Sequence, residues 1–207
     1  MIFMWRFYGI WMDCLTSMLI LTPVILLLIK IQGRKIGSVH TIGVFLYICV
    51  LSGIFSVTGI PNMMHWEFDF SYNIIPMVDL FRSTTQYLLN VLMFIPVGFL
   101  LPLLWEQYQG WKGVLKFGCF LTVFIETVQI FTFRTTDIDD ILTNLLGALL
   151  GYLLVWLLTK GCRLPLPLGR GKEMEEKTGQ WVYFLAVLLE QFFIQPYWSM
   201  FFWDTLL

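Results

Sequence analysis

The sequence predicts an all-α fold, a polytopic bundle of transmembrane helices, and three observations carry the prediction. Only 13% of the 207 residues are charged, about half the share found in soluble domains. Hydrophobic residues make up 58% and the mean hydropathy is +0.76. Apolar runs of about 18 to 21 residues, the length a helix needs to cross the hydrocarbon, recur six times along the chain. The formal net charge is -1 and no basic run stands out, so no nucleic-acid partner is expected.

The six expected spans are residues 10–29, 41–60, 86–104, 113–133, 141–159 and 180–200. Lys30, Arg34 and Lys35 follow the first, Lys112 and Lys116 open the fourth, and Lys160, Arg163, Arg170, Lys172 and Lys177 follow the fifth. Every second connection is therefore basic. By the positive-inside rule these three connections face the cytoplasm, and both termini, the 61–85 loop and the 134–140 turn lie outside. Arg6, Arg82 and Arg134 alone fall on the outer side. A multi-pass protein of the bacterial plasma membrane is the expectation. Four divisions follow: residues 1–40 with the first span and a cytoplasmic loop, 41–159 with a core of four spans, 160–179 as a cytoplasmic linker, and 180–207 with the last span. The linker is marked by Pro165, Pro167, Gly169 and Gly171 and then by Glu173, Glu175 and Glu176.

Arg6 precedes the first span without a small-residue cleavage site, so that span is expected to stay in the mature protein. Trp105, Trp111, Trp156, Trp181, Trp198 and Trp203 sit near span ends, where amphipathic rings favour the headgroup level. Cys14, Cys49, Cys119 and Cys162 lack CxxC spacing and imply neither a disulfide nor a metal centre. His40 and His65 have no ligand spacing and read as loop residues.

The exception to this apolar pattern is the polar series Glu126, Gln129, Arg134, Asp137, Asp139, Asp140 and Asn144. Ionisable side chains at a helix centre cost roughly 2.5 to 3.5 kcal/mol each on the insertion scale, which argues that these are kept for a purpose. Glu126 lies seven positions before the end of its span, roughly 10 Å below the outer boundary at 1.5 Å per residue. Asn144 and Asn90 each lie roughly 6 Å below it by the same arithmetic. Thr122, Glu126 and Gln129 share one helical face, and Asp140, Asn144, Gly147 and Gly151 share another. The short turn between the fourth and fifth spans makes those helices antiparallel neighbours, and Gly147 and Gly151 let another backbone come close.

With Asp79 ahead of it, the third span carries Asn90-x-x-x-Phe94-x-Pro96-x-Gly98. Glu126-x-x-Gln129, Arg134-x-x-Asp137-x-Asp139-Asp140 and Asn144-x-x-Gly147-x-x-x-Gly151 follow. In this order, over about residues 41–156, the chain resembles the VanZ-like family, named for a protein of glycopeptide-resistance operons that raises teicoplanin tolerance in Gram-positive bacteria. Thr122 stands one turn before Glu126 where serine is expected to be common; the hydroxyl is kept. The resemblance implies a membrane protein that reduces the effect of a lipoglycopeptide at the cell surface. It implies no defined reaction.

Residue chemistry bounds what the cluster can do. Glu126 is the candidate general acid or base; the alternative is a neutral carboxyl bonded to Gln129 or Asn90. Arg134 suits bidentate binding of a phosphate or carboxylate, or else pairs with Asp137 or Asp140 and fixes the turn. Asp137, Asp139 and Asp140 offer hard oxygen ligands for a divalent cation, although Asp140 is also a good helix N-cap. No other cofactor is expected. Asp79, Asn90, Gln129, Arg134, Asp137, Asp140 and Asn144 are the candidate substrate-binding residues. Ser83, Thr84 and Thr85 form no nucleophile elbow. Pro96 either kinks the third span and opens a pocket at Asn90 or marks tolerated flexibility. Glu190 and Gln191 are expected to face the bundle. The expected partner is a membrane lipid, a lipid-linked cell-wall precursor or a lipoglycopeptide, recognised in an outer-leaflet pocket. The alternatives are an enzyme acting on a lipid-linked or phosphate-bearing substrate through Glu126, and a non-catalytic interaction partner. The inner halves of the third to fifth spans are nearly pure apolar sequence, which counts against translocation.

Overall fold

Long apolar stretches that lack water must satisfy their backbone groups internally, and helices do so. The computed structural model describes residues 2–31, 38–64, 72–73, 84–132, 136–162 and 179–206. Its helices are α1 (Ile2–Ile31), α2 (Ser38–Thr58), α3 (Thr84–Leu104), α4 (Trp111–Gln129), α5 (Ile138–Cys162), α6 (Gly179–Phe193) and α7 (Gln195–Leu206). Among the described residues four segments are long and apolar enough to cross a membrane: Gly9–Leu27, Ser38–Thr58, Thr84–Leu104 and Ile138–Lys160. Two residue pairs form a short parallel ladder, Tyr72 with Thr136 and Asn73 with Asp137.

Contacts fix the direction of α1 against α2 and of α3, α4 and α5 against one another. Ser17 of α1 meets Ser52 of α2 while Asp13 meets Ser56, an antiparallel pairing. In α3 and α5, Val91 lies against Gly147 and Ile95 against Gly151, so these two run parallel. In α4, Thr122 meets Asn144 and Gly118 meets Ala148, so α4 runs antiparallel to α5. The α3–α5 contact is as close as backbones allow. A Cβ at Gly98 would sit 1.9 Å from the Ala148 carbonyl oxygen, one at Gly147 2.3 Å from that of Val91, and one at Gly151 2.1 Å from that of Ile95. Glycines at these three places permit van der Waals packing without a driving force from water.

Helix ends follow local chemistry. Gly59 adopts φ 64 just after α2, the left-handed stop that glycine makes cheaply, and Pro61 follows. Although Pro96 and Pro102 lie within it, α3 stays continuous. Pro196 has no N–H to offer the Phe192 carbonyl; the Met63 N–H takes that carbonyl instead, at 3.1 Å. The expected sixth span, 180–200, is thereby divided at Ile194 into α6 and α7.

Aromatic rings fill one end of the bundle and continue along its interior. Trp105 is 1% exposed and meets Tyr47 edge-on at 5.0 Å. Phe117 packs on Tyr108 and Trp181, and Phe184 packs on Phe55, Phe120 and Phe124. Two expectations are corrected here. Trp105 is a core residue rather than an interface anchor, because the 3₁₀ turn at Glu106–Tyr108 folds it inward. His40 is buried with its ring 6.4 Å from that of Trp105, not solvated in a loop. Trp111, Trp156, Trp181 and Trp198 are exposed, as anchors should be. Lys160 lies over the Trp156 ring at 3.9 Å, a cation–π contact that keeps the ammonium near the helix end.

Candidate functional site

At the opposite end, where α4 finishes and α5 begins, polar side chains from α3, α4 and α5 converge. The turn between α4 and α5 is short, so the last face of one helix is delivered to the first face of the other. Glu126 is 3% exposed, and its Oε2 accepts the Asp137 backbone N–H at 3.0 Å. Asp137 immediately precedes α5, and its Oδ1 accepts the Asp139 N–H at 3.0 Å. That contact makes Asp137 the N-cap, in the geometry in which a side-chain oxygen satisfies the second free amide of the helix. Asp140, expected as the cap, lies inside the first turn and turns to α3. Asn90 Nδ2 donates to Asp140 Oδ1 at 2.7 Å, and Gln86 Nε2 donates to both oxygens at 3.3 Å. Tyr87 donates its hydroxyl to Asp139 Oδ2 at 2.7 Å.

One turn deeper, Asn144 Nδ2 donates to Thr122 Oγ1 at 2.9 Å. Both residues are buried, and Asn144 Oδ1 makes no hydrogen bond among the described residues. Deeper still, Gly118 and Ala148 close the space with a Cβ-to-Cβ approach of 3.3 Å for any side chain at 118. The cluster is thus a ladder: Asp139 and Asp140 on α3 donors, then the Glu126–Asp137 clamp, then Thr122–Asn144, then glycine contacts.

The structure brings Glu126, Asp137, Asn90, Asp140 and Asn144 to this one end. Gln129 does not join them; its Nε2 donates to the Thr58 carbonyl of α2 at 3.2 Å, an acceptor left over where Gly59 stops that helix. Asp79 and Arg134 lie outside the described residues. Glu126 is bonded to the backbone amide of Asp137 across the turn. Among the described residues no three His, Cys, Asp or Glu side chains gather to hold a metal ion. Asp139 and Asp140 instead turn to Tyr87 on one side and Asn90 on the other.

Tyr87 and Gln86 are the members that sequence reading missed. Their signal was present: Gln86 and Asn90 are one turn apart on α3, the spacing that places both on one face. Tyr87 gave no separate cue.

No curated protein and no solved structure matches the chain. The family model described as VanZ/LLP1 matches residues 39–159, from α2 into the end of α5 and more than half of the chain. The match spans all the helices that build the polar ladder, and the chain belongs to the VanZ/LLP1 family.

Proposed function

We propose that the protein spans the bacterial plasma membrane with both termini outside, and that its α3–α4–α5 polar cluster binds a polar headgroup in the outer leaflet. The ligand is a membrane lipid, a lipid-linked cell-wall precursor or a lipoglycopeptide, and binding contributes to teicoplanin tolerance. The antiparallel pairs α1–α2 and α4–α5 and the basic connections support the orientation. The observation that carries the binding reading is Asn144 Oδ1, a buried acceptor with no described donor at the centre of a ladder of acids, amides and hydroxyls. A buried acceptor without a donor is expensive, and a ligand N–H or O–H repays it. Asp140 and Asn90 provide the rim.

Glu126 takes a positioning part in this reading, since it holds the turn that carries Asp137. The nearly pure apolar sequence of the inner halves of the third to fifth spans favours binding at one face over transport.

The test is expression in a susceptible Gram-positive host, with teicoplanin and vancomycin susceptibility and cell-bound labelled drug measured together. Wild type is expected to raise teicoplanin tolerance and to change bound drug. Asn144→Ala and Asp140→Asn are expected to return both readouts to the vector level while accumulating normally in the membrane. Unchanged susceptibility to both drugs with wild type removes the tolerance reading. Full protection by both variants removes the cluster from it.

A further inference from the structure

A second polar cluster lies between α1, α2 and α6, and two of those helices fall outside the family match at 39–159. Ser17 Oγ donates to Glu190 Oε2 at 2.6 Å and meets Ser52 Oγ at 2.8 Å. Gln191 Nε2 donates to both hydroxyls, at 3.1 Å to Ser17 and 2.9 Å to Ser52. Ser52 Oγ also lies 3.4 Å from the Asp13 carbonyl oxygen. Beside this group, the Asp13 carboxylate accepts from Ser56 and from Gln195. Ser17 and Ser52 are fully buried and Glu190 is 2% exposed.

Hydrogen counting gives the cluster its character. Each serine has one hydrogen and the Gln191 amide has two. Ser17 gives its hydrogen to Glu190, so Ser52 must donate toward Ser17 or Asp13, and Gln191 uses both of its own on the serines. Nothing remains for Glu190 Oε1, which is buried and makes no hydrogen bond among the described residues. The cluster is rich in oxygen lone pairs and short of hydrogens. The basic side chains described, Lys112, Lys116 and Lys160, belong to the other end of the helices.

We propose that Glu190, with the hydroxyls of Ser17 and Ser52, forms a binding site for a small alkali-metal cation, sodium first among them. Hard cations take oxygen ligands, and carboxylate, hydroxyl and backbone carbonyl oxygens from three helices are gathered here. The charge count selects a monovalent ion. Among the described residues Glu190 is the one carboxylate bonded to these serines, while Asp13 turns its carboxylate to Ser56 and Gln195 and offers the cluster its backbone carbonyl. A bound cation joins α1 and α6 to α2, and so ties the two flanking helices to the family core. The site is separate from the headgroup cluster and does not depend on it.

The experiment uses the full chain in lipid nanodiscs, with thermal unfolding followed in sodium, potassium and N-methylglucamine chloride at equal ionic strength and fixed pH. At sodium about a hundred times the dissociation constant, the midpoint is expected to rise by about 5 to 10 °C over N-methylglucamine. Glu190→Gln is expected to abolish that rise. Ser52→Ala, which leaves the carboxyl in place, is expected to shift the sodium dependence to several-fold higher concentration and stands in if Glu190→Gln does not accumulate. Asn144→Ala is expected to keep the full sodium response. Equal midpoints in all three salts overturn the proposal and leave Glu190 part of a structural hydrogen-bond network. So does a sodium rise that Glu190→Gln or Ser52→Ala leaves unaltered.

Discussion

The α3–α4–α5 cluster and the α1–α2–α6 cluster bury similar side chains, yet the helices around them are held together differently. Around the first, glycines at 98, 147 and 151 bring backbones within reach of carbonyl oxygens, so apolar contact fixes the helices and the polar groups are added on top. Around the second, Ser17 and Ser52 are both the small residues that allow approach and the groups that hydrogen-bond. Among the described residues Gly53 contributes there, with an ordinary 3.6 Å approach of its would-be Cβ to Cys14. The helices around the first cluster are therefore held by close backbone contact, which suits a preformed binding site. The second relies on its polar groups for cohesion, which suits a site whose occupancy sets stability.

The largest effect that can break this contrast is steric. Gly147→Leu or Gly98→Val drives side-chain atoms into the backbone of the facing helix, where nothing flexible can yield. Overpacking of this kind costs about 3 kcal/mol or more. Loss of membrane accumulation and of a cooperative unfolding transition is expected, measured by immunoblot of membrane fractions and thermal unfolding in detergent. Gly53→Ala, whose neighbour is a side chain at ordinary contact distance, is expected to accumulate as wild type. If Gly147→Leu accumulates normally, the two regions are not held differently.

Next in size are the hydrogen bonds. Ser52→Ala removes contacts to Ser17, Gln191 and Asp13 together, whereas Asn144→Ala removes one to Thr122. Interhelical hydrogen bonds in lipid average about 0.6 kcal/mol and reach about 1.7. Ser52→Ala is thus expected to lower stability by about 1.5 kcal/mol, and Asn144→Ala by about 0.5 kcal/mol or less, because its unpaired oxygen leaves with it. Denaturant unfolding in mixed micelles reads both. A larger loss for Asn144→Ala than for Ser52→Ala would reverse the contrast drawn between the clusters.

The same difference explains what could be read from the chain beforehand. Glu126, Asp140 and Asn144 stand out because charge and amide groups are rare in apolar runs, and helical spacing assigns them to two faces that do meet. The approach allowed by Gly147 and Gly151 was legible too, though not that α3 would be the partner. Ser17, Ser52 and Ser56 are small and common in buried helices, so nothing marks them until α1 and α2 are placed side by side. Glu190 and Gln191 were rightly turned inward, but their partners lie 173 and 139 positions away in sequence, beyond any local pattern. The break at Ile194 depends on the Met63 amide taking the Phe192 carbonyl, again a contact invisible to a single helix. Trp105 looked like other span-end tryptophans; the turn that buries it is set by tertiary packing.

The finest distinction concerns the turn that carries the first cluster. Asp137 has two parts, a side-chain cap on the Asp139 amide and a backbone amide held by Glu126. Asp137→Asn keeps a capping oxygen and is expected to change stability by less than about 0.5 kcal/mol, while Asp137→Ala is expected to cost about 1 kcal/mol. Glu126→Gln keeps an acceptor for the Asp137 amide, so hydrogen exchange at Asp137 should stay slow, whereas Glu126→Ala should speed it. If Glu126 positions the turn, Glu126→Gln retains drug tolerance as well as slow exchange. If it transfers a proton, Glu126→Gln keeps the slow exchange and loses tolerance. The pairing of those two readouts assigns Glu126 to the scaffold of the cluster or to its chemistry, because only the chemical role needs a carboxyl where the structural role needs an oxygen.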